Sequence, residues 1–109
     1  MSVFMQQQPI PVTKDALGNA WASVAAASDK QYQLAAFSGG SSLIACTVEV
    51  LAGSTTIWKE YAASGHPASQ VFQTDGPVTA TNQSLTVRTQ ITGSNAKGCT
   101  ANLLYRIVL

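Results

Sequence analysis

At 109 residues the chain has room for one domain. Only 10% of it is charged and 46% is hydrophobic, yet no apolar run approaches the roughly 20 residues that a membrane helix needs. Six Lys and Arg against five Asp and Glu leave a formal net charge of +1, too scattered for the clustered basic face that nucleic-acid binding demands. Low charge beside abundant Ala, Ser, Thr and Gln points to a surface that partly faces other protein, and so to a homo-oligomer.

The chain opens with Val3, Phe4 and Met5, three glutamines, and then Pro9-Ile10-Pro11. Two prolines one residue apart forbid a helix and disfavour a central strand, which predicts an extended arm over residues 1–13 with an apolar tip. Such an arm either packs on a neighbouring molecule or lies along its own sheet edge. Residues 1–8 carry no positive charge, so they do not read as a secretory signal.

From residue 14 to 109 the pattern is that of a single β domain. Gly18 turns the chain. Ala20 to Ala27 is rich in alanine, which favours helix, but the alternation of Trp21, Ser23 and Ala25 against Ala20, Ala22 and Val24 also fits a strand. The strand is preferred because Ser28-Asp29-Lys30 then forms a turn into a second strand, Gln31 to Phe37. Ser38-Gly39-Gly40-Ser41 reads as a loop.

Ser42 to Leu51 alternates Ile44, Cys46, Val48 and Val50 against Thr47 and Glu49. A short Ala52-Gly53-Ser54 turn leads into Thr55 to Ala62, which predicts a hairpin. Ser69 to Thr74 is a short strand, Asp75-Gly76-Pro77 a turn, and Val78 to Thr81 an edge strand. Leu85, Val87, Thr89 and Ile91 then alternate against Thr86, Arg88 and Gln90. After a polar turn, Ala101, Leu103, Tyr105 and Ile107 alternate against Asn102, Leu104, Arg106 and Val108. These last two segments, from Ser84 to Val108, predict a closing hairpin. Eight or nine evenly spaced short strands and no long helix give an all-β fold, an antiparallel β-sandwich or jelly roll.

Catalytic chemistry is hard to build from this inventory. His66 is the sole histidine and has no acid near it in sequence. One His and two distant cysteines cannot supply a four-ligand zinc site without carboxylates, so no metal and no cofactor is expected. Glu49 and Glu60 stand on the two arms of one predicted hairpin, but both more simply face solvent than form a glycosidase pair. Cys46 and Cys99 are either two buried thiols or a disulfide joining a central strand to the last one. Trp21, Trp58 and Tyr61 could stack on sugar rings; Trp58 and Tyr61 fall on opposite faces of one strand and cannot form one platform.

A Gly/Ser loop at Ser38 to Ser41 precedes a long apolar strand, and a short turn then Ser/Thr follows at Ala52 to Thr56. A hydrophobic-Phe segment with Pro-Val after it spans Val71 to Val78, Leu-x-Val stands at Leu85 to Val87, and Leu-x-Tyr-x-x-Val closes the chain at Leu103 to Val108. Over about two thirds of the chain, Gln33 to Leu109, this order resembles small phage-encoded β-sandwich proteins that serve as capsid decoration proteins or as head and tail fibre modules. The resemblance implies a non-enzymatic virion protein, often trimeric, that clamps adjacent major capsid protein subunits and is assembled in the host cytoplasm. Val3, Phe4, Met5, Ile10 and Val12 would then be the contact residues, adding backbone hydrogen bonds to a neighbour's sheet edge. The alternative is a carbohydrate-binding module of a tail or fibre, using Trp58 or Tyr61. A weaker one is a small major coat protein.

Overall fold

The computed structural model describes residues 3–6, 13–14, 18–72, 75–91 and 98–108. Among these there is no helix. Nine strands run in chain order: β1 (Val3–Gln6), β2 (Thr13–Lys14), β3 (Ala20–Val24), β4 (Gln31–Ser41), β5 (Cys46–Ala52), β6 (Thr55–Ala62), β7 (Ala68–Val71), β8 (Leu85–Gln90) and β9 (Cys99–Val108). They form a four-stranded sheet, β1-β9-β4-β7, and a five-stranded sheet, β2-β3-β8-β5-β6, with every pairing antiparallel.

With the two-residue β2 set aside, the other eight strands, counted along the chain, take the sheet orders 1-8-3-6 and 2-7-4-5. That is the jelly-roll arrangement of two interlocked Greek keys. The expected antiparallel β-sandwich is therefore the fold.

The core lies between the sheets. Tyr32, Leu34, Phe37, Cys99, Ala101 and Leu103 from the four-stranded sheet meet Ala20, Ala22, Val48, Val50, Leu85 and Val87 from the five-stranded one. Alternation decides this, since each strand puts every second side chain inward. In β4 a bulge between Leu34 and Ala36 shifts the phase. Tyr32 and Leu34 face the core before it, and Phe37 faces the core after it. Tyr32 then meets Tyr105 edge to face at 5.6 Å, and Phe37 stacks on Phe72 at 6.3 Å.

Several expectations are corrected. The segments from Ser84 to Val108 do not form a hairpin: β8 pairs with β3 and β5, and β9 pairs with β1 and β4 in the opposite sheet. Their inward faces meet across the core instead of along a ladder. The ten-residue β9 finds its full-length partner in the eleven-residue β4, which the six-residue β8 could not offer.

Ser38 to Ser41 is not a loop but the end of β4. Gly39 is there for close approach, because a Cβ on it would come within 3.1 Å of Val48 Cγ1 and 3.2 Å of the Thr100 carbonyl. The strand expected from Ser42 starts at Cys46, that from Ala20 stops at Val24, and Val78 makes only an isolated bridge to Gln33.

The β5–β6 hairpin holds as predicted. Its two-residue turn has Gly53 at φ 61°, the glycine-first turn whose twist matches the strands it joins. The N-terminal segment expected to be an arm contributes edge strands to its own sheets. The backbone of Val3–Gln6 pairs with Tyr105–Val108, and Thr13–Lys14 with Ala20–Trp21. Ile10 and Val12 lie outside the described residues.

Candidate functional site

The inward residues of the five-stranded sheet are mostly apolar, so the alternating partners on its outer face carry most of its polar chemistry. In β3 those are Trp21 and Ser23; in β8, Thr86, Arg88 and Gln90; in β5, Thr47, Glu49 and Leu51; in β6, Lys59 and Tyr61. Register lines them up. Trp21 stands opposite Arg88, Arg88 opposite Glu49, and Glu49 opposite Lys59, in one row across four strands. The row below contains Gln90, Thr47 and Tyr61, and the row above contains Ser23, Thr86 and Leu51.

Charge organises the central row. Arg88 Nε donates to Glu49 Oε1 at 3.0 Å, and Lys59 Nζ stands 4.0 Å from Glu49 Oε2. Glu49 is only 8% exposed although it faces away from the core. A carboxylate can sit so covered because cations flank it on both neighbouring strands. The Arg88–Glu49 bond holds the Arg88 side chain on β5.

Between β3 and β8 this leaves an open groove of about 420 Å³. One wall is the Trp21 indole and the other is Arg88. Ser23 and Thr86 close one end through a 2.9 Å hydroxyl–hydroxyl bond, and Asn19 and Gln90 line the other. Beneath it the buried Thr89 Oγ1 accepts from the Ala20 amide at 2.9 Å, which ties the start of β3 to β8. Among the described residues no group accepts the Trp21 indole N–H or bonds the two terminal Arg88 nitrogens. An aromatic face, a guanidinium and a rim of hydroxyls and amides make a surface suited to a hydroxylated, polar ligand.

Tyr61 is 71% exposed on this same outer face. Three interstrand steps separate its strand from that of Trp21, roughly 14 Å across the sheet. Trp58 faces the other way. Its ring meets Phe72 edge to face at 5.1 Å, and its indole N–H donates to Glu60 Oε1 at 2.9 Å. Opposite faces therefore hold the two aromatics. The same register separates Glu49 from Glu60, since Glu60 pairs with the core residue Val48 and Glu49 with Lys59. The contact residues expected on the arm, Val3, Phe4 and Met5, stand on β1 at the edge of the other sheet.

Elsewhere little chemistry gathers. His66 is exposed in a tight turn whose amide bonds Ala63 O at 2.9 Å. A smaller opening of about 270 Å³ is lined by Gly40, Gly65, Gly98, Pro67 and three hydroxyl residues, and its Ser41 hydroxyl accepts from the amides of Leu43 and Ile44. Cys46 and Cys99 are buried free thiols. Burial pushes the Cys46 thiol above its ordinary value, and the nearby Cys99 adds to the rise. Among the described residues no three of His, Cys, Asp and Glu come together as metal ligands would.

Reading the sequence singled out Trp58 and Tyr61 as the ligand-facing aromatics, with Trp21 as a further candidate. It took Glu49 to face solvent, whereas the structure covers it, and it did not single out Arg88. The available signal was one charged residue in each of two strands otherwise built of apolar and uncharged polar residues.

No protein-family profile matches this sequence, and no curated protein matches it. Two solved structures are similar. One is the CBM36-1 domain of a multidomain xylanase from the hindgut metagenome of Trinervitermes trinervoides, with 17% identity and a TM-score of 0.40 over 99% of this chain and 91% of that one. The other is a carbohydrate-binding module CBM36 in complex with calcium and xylotriose, with 12% identity and a TM-score of 0.40 over 99% of this chain and 89% of that one.

Proposed function

We propose that this chain is a non-catalytic glycan-binding module and that its site is the outer face of the five-stranded sheet. One observation carries the reading: the row Trp21–Arg88–Glu49–Lys59, with an open groove between its first two members. An indole face takes the C–H side of a sugar ring, while Ser23, Thr86, Gln90 and Arg88 exchange hydrogen bonds with its hydroxyls. Tyr61, farther along the same face, extends the surface to an oligosaccharide. Trp58 serves the core and not the ligand.

A glycan array probed with wild type, Trp21→Ala and Trp58→Ala tests this. Wild type binds a defined set of oligosaccharides. Trp21→Ala weakens that binding about tenfold or more at unchanged melting temperature, the loss of one stacked aromatic contact. Trp58→Ala lowers the melting temperature first. Binding untouched by Trp21→Ala overturns the assignment of the face.

A second reading, the virion-surface role that the resemblance implies, draws on Val71 (74% exposed) and Val78 (46%), apolar side chains beside β4 on the other sheet. In that reading a homotrimer clamps major capsid protein, with Val3, Phe4 and Met5 on the edge strand β1. A chain that binds no glycan on the array yet co-sediments with assembled capsids supports it over the first.

A further inference from the structure

We infer that the groove between β3 and β8 selects glycans bearing a carboxylate, that is, oligosaccharides containing a uronic acid. The inference rests on the glycan-binding reading and names its ligand class. Arg88 carries it. Its Nε is fixed on Glu49 at 3.0 Å, its side chain is 38% exposed, and its two terminal nitrogens have no partner among the described residues. A guanidinium anchored on one edge presents the remaining pair of N–H groups as a preset fork. That fork matches the two oxygens of a carboxylate better than it matches a single hydroxyl.

The surroundings agree in sign. Two cations, Arg88 and Lys59, stand against one anion, Glu49, so the row carries a surplus of one positive charge. That anion is covered, with its side chain only 10% exposed, and both its oxygens face cations. Each hydroxyl of a neutral sugar both donates and accepts, whereas a carboxylate only accepts. Ser23, Thr86 and Gln90 could serve any sugar hydroxyl. The one charged group lining the groove is Arg88, a donor only, with Glu49 covered behind it, and that adds a place for an acceptor-only anion. Glu49 is a positioning residue, acting through Arg88.

Titration calorimetry with galacturonate, glucuronate, mannuronate and guluronate oligomers, each beside its methyl ester and a neutral oligomer, and with a sulfated galactan oligomer, tests this. Esterification keeps the ring and removes only the charge. The expected result is that at least one acid binds, that its ester binds about tenfold more weakly or worse, and that added salt weakens the acid alone. Arg88→Gln brings acid and ester to the same weak affinity. Because it also strips the covered Glu49 of its nearer cation, it lowers the melting temperature, so the acid-to-ester affinity ratio, which a loss of stability alone leaves unchanged, is the readout. If esters or neutral oligomers bind as well as acids, the carboxylate assignment falls and the glycan reading stands. If only a sulfated galactan oligomer binds, the fork recognises a different anion and the assignment likewise falls. If no oligomer binds at all, both fall.

Discussion

Thr89→Val asks how much one buried hydroxyl holds the start of β3, and with it the Trp21 wall, against β8. Thr89 is 1% exposed; its Oγ1 accepts from Ala20 N at 2.9 Å and donates to Ala20 O at 3.4 Å. Valine has nearly the same shape and does neither. The Ala20 residue is fully buried, so its amide is left without an acceptor, which costs about 2 kcal/mol, the middle of the range for an unsatisfied buried donor. The methyl that replaces the hydroxyl returns about 0.8 kcal/mol. The net loss is about 1 kcal/mol, or about 5 °C in melting temperature for a domain of this size. Thermal unfolding followed by circular dichroism reads it, and amide exchange at Ala20 reports the local cause. A variant that melts at or above wild type with the Ala20 amide equally protected refutes the reasoning, because the hydroxyl would then not anchor the strand.

Two further changes test the fold around this face. Gly76→Ala forces a methyl into the Leu34 carbonyl oxygen and to 2.9 Å from Phe72 Cβ, at the β4 bulge where neither backbone can yield. It should cost about 3 kcal/mol, seen as a lower urea midpoint at unchanged slope, and an unchanged midpoint would show that the bulge is soft. The second concerns pH. Burial, then Tyr105 and Asp29, raises the Tyr32 phenol, and burial, then Cys99, raises the Cys46 thiol, from ordinary values of 10.0 and 9.0. Both groups hold their protons more tightly folded than unfolded, so their contribution is complete below about pH 9 and is lost as pH rises beyond it. Urea unfolding at pH 7, 9 and 10 should show that decline, with a shallower slope in Cys46→Ala; equal slopes would remove Cys46 from the account.

Alternation made the faces legible before the structure did. Leu85, Val87 and Thr89 are buried as their spacing requires, as are Ala101 and Leu103, and Gly53 marks the tight hairpin in which β5 and β6 meet. What alternation does not contain is the identity of a strand's neighbour. A period of two says that β8 and β9 each bury one face, and it is satisfied equally by pairing side by side or by facing across a core. Glycine misled for a related reason: Gly39 and Gly40 look like a turn, but their missing side chains serve close packing against Val48 and Pro67. Site residues were legible only as types. Trp21, Trp58 and Tyr61 were candidates as aromatics, of which Trp58 turns to Phe72 and Glu60 instead, whereas the partnership of Arg88 with Glu49, 39 positions apart, exists only through the β5–β8 register.

The same register makes the binding face and the fold interdependent. On the inner side apolar contacts fix how β3, β8, β5 and β6 line up; on the outer side the Arg88–Glu49–Lys59 ladder selects that same alignment, since a slip of one residue would turn Glu49 into the core without a cation. A purely solvated face would need no such device, because exposed ion pairs contribute little to stability. Covering Glu49 to 8% exposure makes sense when its task is to hold Arg88 at a set position beside Trp21. A sheet that merely wanted solubility could have scattered those charges. Here an aromatic, a tethered guanidinium and a pair of hydroxyls stand on consecutive rungs, among the residues that keep the strands in step.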